Sequence, residues 1–171
     1  VAFFDKDGVF LKDVKVGAMP DMIVFNNAGT RVLTANEGEP NATYTNDPDG
    51  SVSIIDISGG IAGLNQSHVS AVTFTAYNGS EIALKAQGVR IYGVSGQASK
   101  DFEPEYIAIS KDDTKAWVTL QENNAVVEIN LATNSINNIR ALGSKDHSLL
   151  ANGMDVSNTT KEINISNFPV K

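Results

Sequence analysis

Pro20-Asp-Met-Ile-Val-Phe-Asn-Asn-Ala-Gly-Thr-Arg-Val-Leu-Thr-Ala-Asn-Glu37 and Pro104-Glu-Tyr-Ile-Ala-Ile-Ser-Lys-Asp-Asp-Thr-Lys-Ala-Trp-Val-Thr-Leu-Gln-Glu122 share one plan. Each runs from a Pro-acid pair through a short apolar strand, a polar turn, a second strand and a polar exit. The match needs one inserted residue near Trp117. A third strand follows each copy, Ser51–Ile57 after the first and Ala125–Leu131 after the second. A fourth is expected near Val69–Tyr77 and Ser135–Leu142. Self-similarity of this kind marks a repeat architecture.

The turns agree. Asn27-Ala28-Gly29 and Asp112-Asp113 separate strands one and two, and Asp5-Lys6-Asp7-Gly8 and Thr133-Asn134 separate strands three and four. Tight hairpins take Asn, Asp and Gly at such points. The apolar runs are short and rich in Val and Ile, as in strands buried on both faces. Four antiparallel strands joined by hairpins make a propeller blade. The fold expected is therefore an all-β propeller. Residues 1–17 supply the end of one blade, 18–77 a second blade, 104–142 a third, and 143–171 lead into the next. Two and a half blades do not close a ring, so the chain reads as a segment of something longer. Residues 78–103 interrupt the pattern. Ser80–Gly88 reads as a short helix with Ser80 as N-cap and Gly88 just past its end, and the run to Lys100 as loop. Trp117, within a second strand, is expected in the core.

The 171 residues carry 13 Lys plus Arg against 20 Asp plus Glu, a formal charge of -7. Nucleic-acid binding needs a basic stripe, which this balance opposes. No apolar run approaches the ~18 residues that span a bilayer. Cysteine is absent, which excludes disulfides and thiolate metal sites. Five N-x-[ST] sequons, at Asn41, Asn65, Asn78, Asn158 and Asn164, favour a secreted glycoprotein over accidental composition.

Blade connectivity predicts which loops share a face. Loops joining strands two and three lie with the connections between blades. On that face fall Asp21, Glu37, Glu39, Asp47, Asp49, Asp101, Glu103, Glu105, Glu122 and Asp146, half of the acids in the chain. The loop Glu37–Gly50 is long for a hairpin connection, and long loops are often functional. Hard carboxylate oxygens suit Ca²⁺ or another divalent cation. The candidate metal ligands are Glu37, Glu39, Asp47, Glu103, Glu105 and Glu122, with the Gln121 or Asn123 amides as neutral ligands. The bland alternative is a solvated acidic rim. Asp5–Gly8 lacks EF-hand spacing and reads as a turn. His68 and His147, the only histidines, sit in no metal motif, and no catalytic fingerprint appears.

Ala35–Pro40, Asp47–Asp56, Gly88–Ile91, Glu103–Ile107, Ala116–Ala125, Lys145–His147, Asn152–Asp155 and Ile163–Ile165 carry a resemblance. The chain resembles the choice-of-anchor I propeller proteins of bacterial surfaces, which are similar to the mesenchyme-specific cell-surface glycoproteins of skeleton-forming echinoderm cells. The resemblance implies an extracellular or surface-attached structural propeller, linked in animals to biomineral or matrix, whose partners are remaining blades or neighbouring chains. Some bacterial members are labelled alkaline phosphatases, and Asn36-Glu37 is similar to the axial glutamates of calcium-dependent propeller phosphatases. A metal-dependent phosphoesterase is thus the alternative to a cation-binding structural module.

Overall fold

The computed structural model describes residues 1–156, 163 and 165–167. The protein is all-β, with antiparallel pairing throughout the described strands. A two-stranded sheet pairs β1 (Ala2–Phe4) with β2 (Phe10–Asp13). The middle sheet runs β3 (Pro20–Phe25), β4 (Arg31–Asn36), β5 (Ser51–Asp56), β6 (Val69–Thr73), in that spatial order. The last sheet repeats it with β7 (Ile107–Ile109), β8 (Lys115–Leu120), β9 (Ala125–Asn130) and β10 (Ser135–Ala141). Sequential order within each four-stranded sheet is what hairpin connections produce.

Two apolar cores lie between these layers. Phe3 and Val14 of the first layer meet Val32, Ile55 and Leu64. On the other side of the middle sheet, Leu33, Val52, Ile54 and Phe74 pack with Val118, Leu120, Val127 and Ile129 of the last. Neighbouring residues of a strand point to opposite faces. Leu33 and Ile54 therefore serve one core while Val32 and Ile55 serve the other, and both faces of the middle sheet are buried. The last sheet differs. Along β8 buried and more exposed residues alternate, because only one face has a packed layer against it.

That alternation corrects the placement of Trp117. It is 38% exposed, on the face opposite Ala116 and Val118, and lies across from Glu128 of β9. Three smaller differences follow. The fourth strand of the middle sheet stops at Thr73, and Thr75–Tyr77 form a 3₁₀ turn. The helix α1 (Glu81–Ala86) starts after Ser80, but the Ser80 side chain makes no cap; the Glu81 carboxylate instead accepts from Gly79 N at 2.8 Å. The stretch expected as loop before Phe102 contains a single helical turn, α2 (Ala98–Asp101). The Asp5–Gly8 turn is as expected: Asp5 Oδ1 accepts from Asp7 N and Val9 N, each at 2.9 Å.

Candidate functional site: an acidic cleft between two sheets

The acids that matter sit where strands begin or end. Glu37 and Glu39 follow β4, Glu122 follows β8, and Glu103 and Glu105 lead into β7. Antiparallel pairing places these positions at one end of both sheets: Pro20 pairs with Asn36 and Asn36 with Ser51, and Glu105 N donates to Thr119 O at 3.0 Å.

The loop of residues 37–50 is held over this end. Asn41 shapes its tip, accepting from Thr45 N at 3.0 Å and Asn46 N at 3.3 Å. Its root is fixed by the 78–103 segment. Lys100 pairs with Asp49 at 3.1 Å and also donates to the Asp47 carbonyl. Ser99 Oγ donates to Asp49 Oδ1 at 3.3 Å, and Asn78 in turn holds Ser99 N at 2.9 Å. Gly50 is required by close approach: a Cβ there would collide with the Phe102 carbonyl. The opposite wall is built on Asp101, whose carboxylate accepts from Tyr92 N at 2.9 Å and from Gly93 N. Between the walls lies a cleft of about 230 Å³ lined by Glu39, Asp47, Asp101, Glu103 and Glu122, with Tyr44 and Tyr92 beside them.

Electrostatics within this end are strained by like charge. Burial, then Glu122, Glu37, Glu39 and Asp101, push the Glu103 carboxyl up to about 7. Glu37 is also raised, by burial first and then by Asp21, Glu39, Glu105 and Glu122. Glu105 is raised by burial, against a lowering hydrogen bond from Gln121. The Tyr92 hydroxyl donates to Glu122 at 2.6 Å, and that bond, with burial, raises the hydroxyl's pKa. These mutual effects bring Glu37, Glu39, Glu103, Glu105 and Glu122 into one field, although the first two lie more than sixty residues from the other three in sequence. Asp47 joins them as a lining residue of the cleft. Two groups stand out. Glu103 is 8% exposed and its carboxylate has no hydrogen-bond or ion-pair partner among the described residues. Asp47 Oδ1 is buried and likewise unpartnered.

Not every expected ligand is free to bind. Asn123 is fully buried and spent on the fold: its amide donates to Arg90 O at 3.0 Å and Asp101 O at 2.7 Å, and its oxygen accepts from Glu103 N at 3.2 Å. Among the described residues, no three acidic or histidine side chains are gathered closely enough to hold a metal ion as they stand. His68 Nδ1 lies by Asn65 and His147 Nδ1 by Asn152 O, both away from the cleft lining. The sequon residues Asn41, Asn65 and Asn78 are exposed. Asn158 and Asn164 lie outside the described residues. Sequence reasoning missed Tyr92 and Tyr44; only their position beside the acids, visible in three dimensions, marks them.

No helix among the described residues is long and apolar enough to cross a membrane. A search of curated proteins finds no match to the chain. The family model of the choice-of-anchor I domain matches residues 1–171, so the chain belongs to the choice-of-anchor I family, whose domains are associated with cell-surface or secreted proteins.

Proposed function

We propose that this domain is an extracellular structural and interaction module whose acidic end binds cations, Ca²⁺ among them. The scaffold we propose is a β-propeller in which the middle and last sheets are consecutive blades. Two sheets of the same sequential strand order, packed face to face, support that reading. The observation that carries cation binding is Glu103, a largely buried side chain whose carboxylate opens on the cleft among like charges and has no described partner. A carboxylate crowded by burial and like charge either keeps its proton or takes a compensating cation. The donor set is all oxygen, which fits Ca²⁺. Glu37, Glu39, Glu103 and Glu122 would hold the ion, with Asp47 and Glu105 at the margins, and their side chains would have to close upon it. The ion's charge would remove the mutual repulsion and tie the two sheets together. Exposed sequons at Asn41, Asn65 and Asn78 are the sites at which a secreted form would carry sugar, and matrix or mineral is the partner class an acidic surface module would meet.

Thermal unfolding of metal-stripped protein tests this. Ca²⁺ at a hundredfold excess over its dissociation constant stabilises by about 2.7 kcal/mol through mass action. The midpoint should rise, and Glu37→Gln with Glu105→Gln should suppress the rise. A midpoint indifferent to both Ca²⁺ and Mg²⁺ would leave these carboxylates as a solvated acidic rim.

A further inference from the structure

We infer that the cleft between the 37–50 loop and the Tyr92–Glu103 wall binds an organic cation, a guanidinium or ammonium group such as a basic side chain of a partner protein. The inference rests on the reading that the Glu103 end attracts positive charge, and it names the chemical class of the partner.

Four features carry it. First, a water takes roughly 30 Å³ of liquid volume; a cleft of about 230 Å³ is far larger than one ion needs and suits a planar organic head group. Second, the carboxylates are spread round the cleft rather than converged, since no three are close enough for one metal among the described residues. A guanidinium has five N–H donors in a fork and can reach separated acceptors. Third, an acceptor already waits there: Glu103, only 8% exposed as a residue, lines the cleft and its carboxylate has no described partner. Fourth, Tyr44 and Tyr92 line the same cleft, and aromatic faces attract cations most strongly when water is excluded. Tyr92 is held in place by its bond to Glu122. One resident ammonium, that of Lys100, is satisfied by Asp49 and the Asp47 carbonyl at the loop root. Lys100 lines the same cleft, but neither it nor another described basic side chain ion-pairs with Glu39, Glu103 or Glu122.

The test titrates the protein with butylguanidinium chloride and with butylurea, its uncharged analogue, at constant ionic strength. Backbone amide shifts are followed by NMR, and CaCl₂ is titrated in parallel. The expected result is saturable butylguanidinium shifts centred on Tyr44, Gly93 and Glu103, with none from butylurea. Tyr44→Ala should weaken butylguanidinium by about fivefold, as loss of a cation–aromatic contact does, while leaving the Ca²⁺ response in place. Glu103→Gln should weaken both ligands. A Ca²⁺ response without saturable butylguanidinium shifts would overturn the inference and leave cation binding standing. Butylguanidinium binding unchanged in both variants would place it elsewhere and overturn the inference too. Silence with both ligands would overturn the inference and the cation-binding reading together.

Discussion

The two ends of the last sheet treat a carboxylate in opposite ways. At the β7–β8 turn, Asp113 is saturated with donors from the middle sheet: Asn27 N at 2.9 Å, Ala28 N at 2.9 Å, Asn27 Nδ2 at 2.6 Å and Asn26 Nδ2 at 3.0 Å. Burial works to raise its pKa, but these backbone and side-chain bonds outweigh it and hold the carboxyl below the ordinary range. Nearby, Arg31 donates to the Leu131 carbonyl, a second strap between the same sheets. At the far end Glu103 is more buried, its carboxylate has no described donor, and the charges that raise it are other acids. One end uses its charge to join the sheets. The other keeps a charge in a place where the fold alone gives it nothing. The first arrangement is a fastening, and the second is what a binding site looks like before its ligand arrives.

The sharpest way to break this contrast is Glu103→Gln in ligand-free protein. The folded-state value of about 7 lies above the model-compound 4.5, so the native protein holds its proton longer than the unfolded chain. The penalty is absent below about pH 4, grows as pH rises toward 7, and is complete above it. Glu103→Gln should therefore stabilise at pH 8, by about 1–2 kcal/mol because water in the cleft screens the charge, and change little at pH 4. Urea midpoints at the two pH values measure it; a loss of stability at pH 8 would show that the charge is compensated.

Asn123→Ala comes next. It strips partners from the buried Asp101 carbonyl, the part-buried Arg90 carbonyl and the Glu103 amide, and each buried group left unsatisfied costs about 1–3 kcal/mol. Asn36, also fully buried, bonds mostly to hydroxyls: its amide reaches Ser51 Oγ at 3.1 Å and Ser53 Oγ at 2.9 Å, and its oxygen accepts from Thr34 Oγ1 at 2.9 Å. Hydroxyls rotate to new partners. Asn36→Ala should thus be milder than Asn123→Ala in the same denaturation assay.

Asp113→Asn tests the fastened end. A lowered carboxylate pKa adds stability that is present above the unfolded value and lost as pH falls through the folded one. The variant should melt below the parent at pH 7, and the gap should close in acid. Its sign with pH is the reverse of that for Glu103. At the small end of the scale is Asp7→Asn, which removes the exposed pair with Lys6. Such pairs contribute little, and no resolvable change in midpoint is expected.

Much of the sheet architecture was legible in the repeat. Pro20 does open a strand, and the hairpin turns fall at Asn27–Gly29 and Asp112–Asp113. Of the acids chosen from connectivity, Glu37, Glu39, Glu103, Glu105 and Glu122 share one end. What the sequence hid depends on neighbours rather than on local pattern. Trp117 was misplaced because β8 has a packed layer on one face only, and nothing within Lys115–Leu120 says so. Asp113 looked like simple turn chemistry, since its role lies in donors 85 to 87 positions away. Asn123 looked like a ligand because an amide spent on backbone carbonyls reads no differently from a free one. The two tyrosines of the cleft carry no spacing signal at all.

The close approach of Gly50 to the Phe102 carbonyl has a consequence for the order of folding. Hairpins such as β3–β4 and β8–β9 join residues close in sequence and form at small entropic cost. The cleft closes only when residue 50 reaches residue 102, a loop of some fifty residues whose closure must come first. Its walls are therefore assembled late, after each sheet has paired. An interaction absent from the transition state slows unfolding and leaves the folding rate nearly untouched. A ligand in this cleft would act as a latch, prolonging the life of the docked sheets without hastening their assembly.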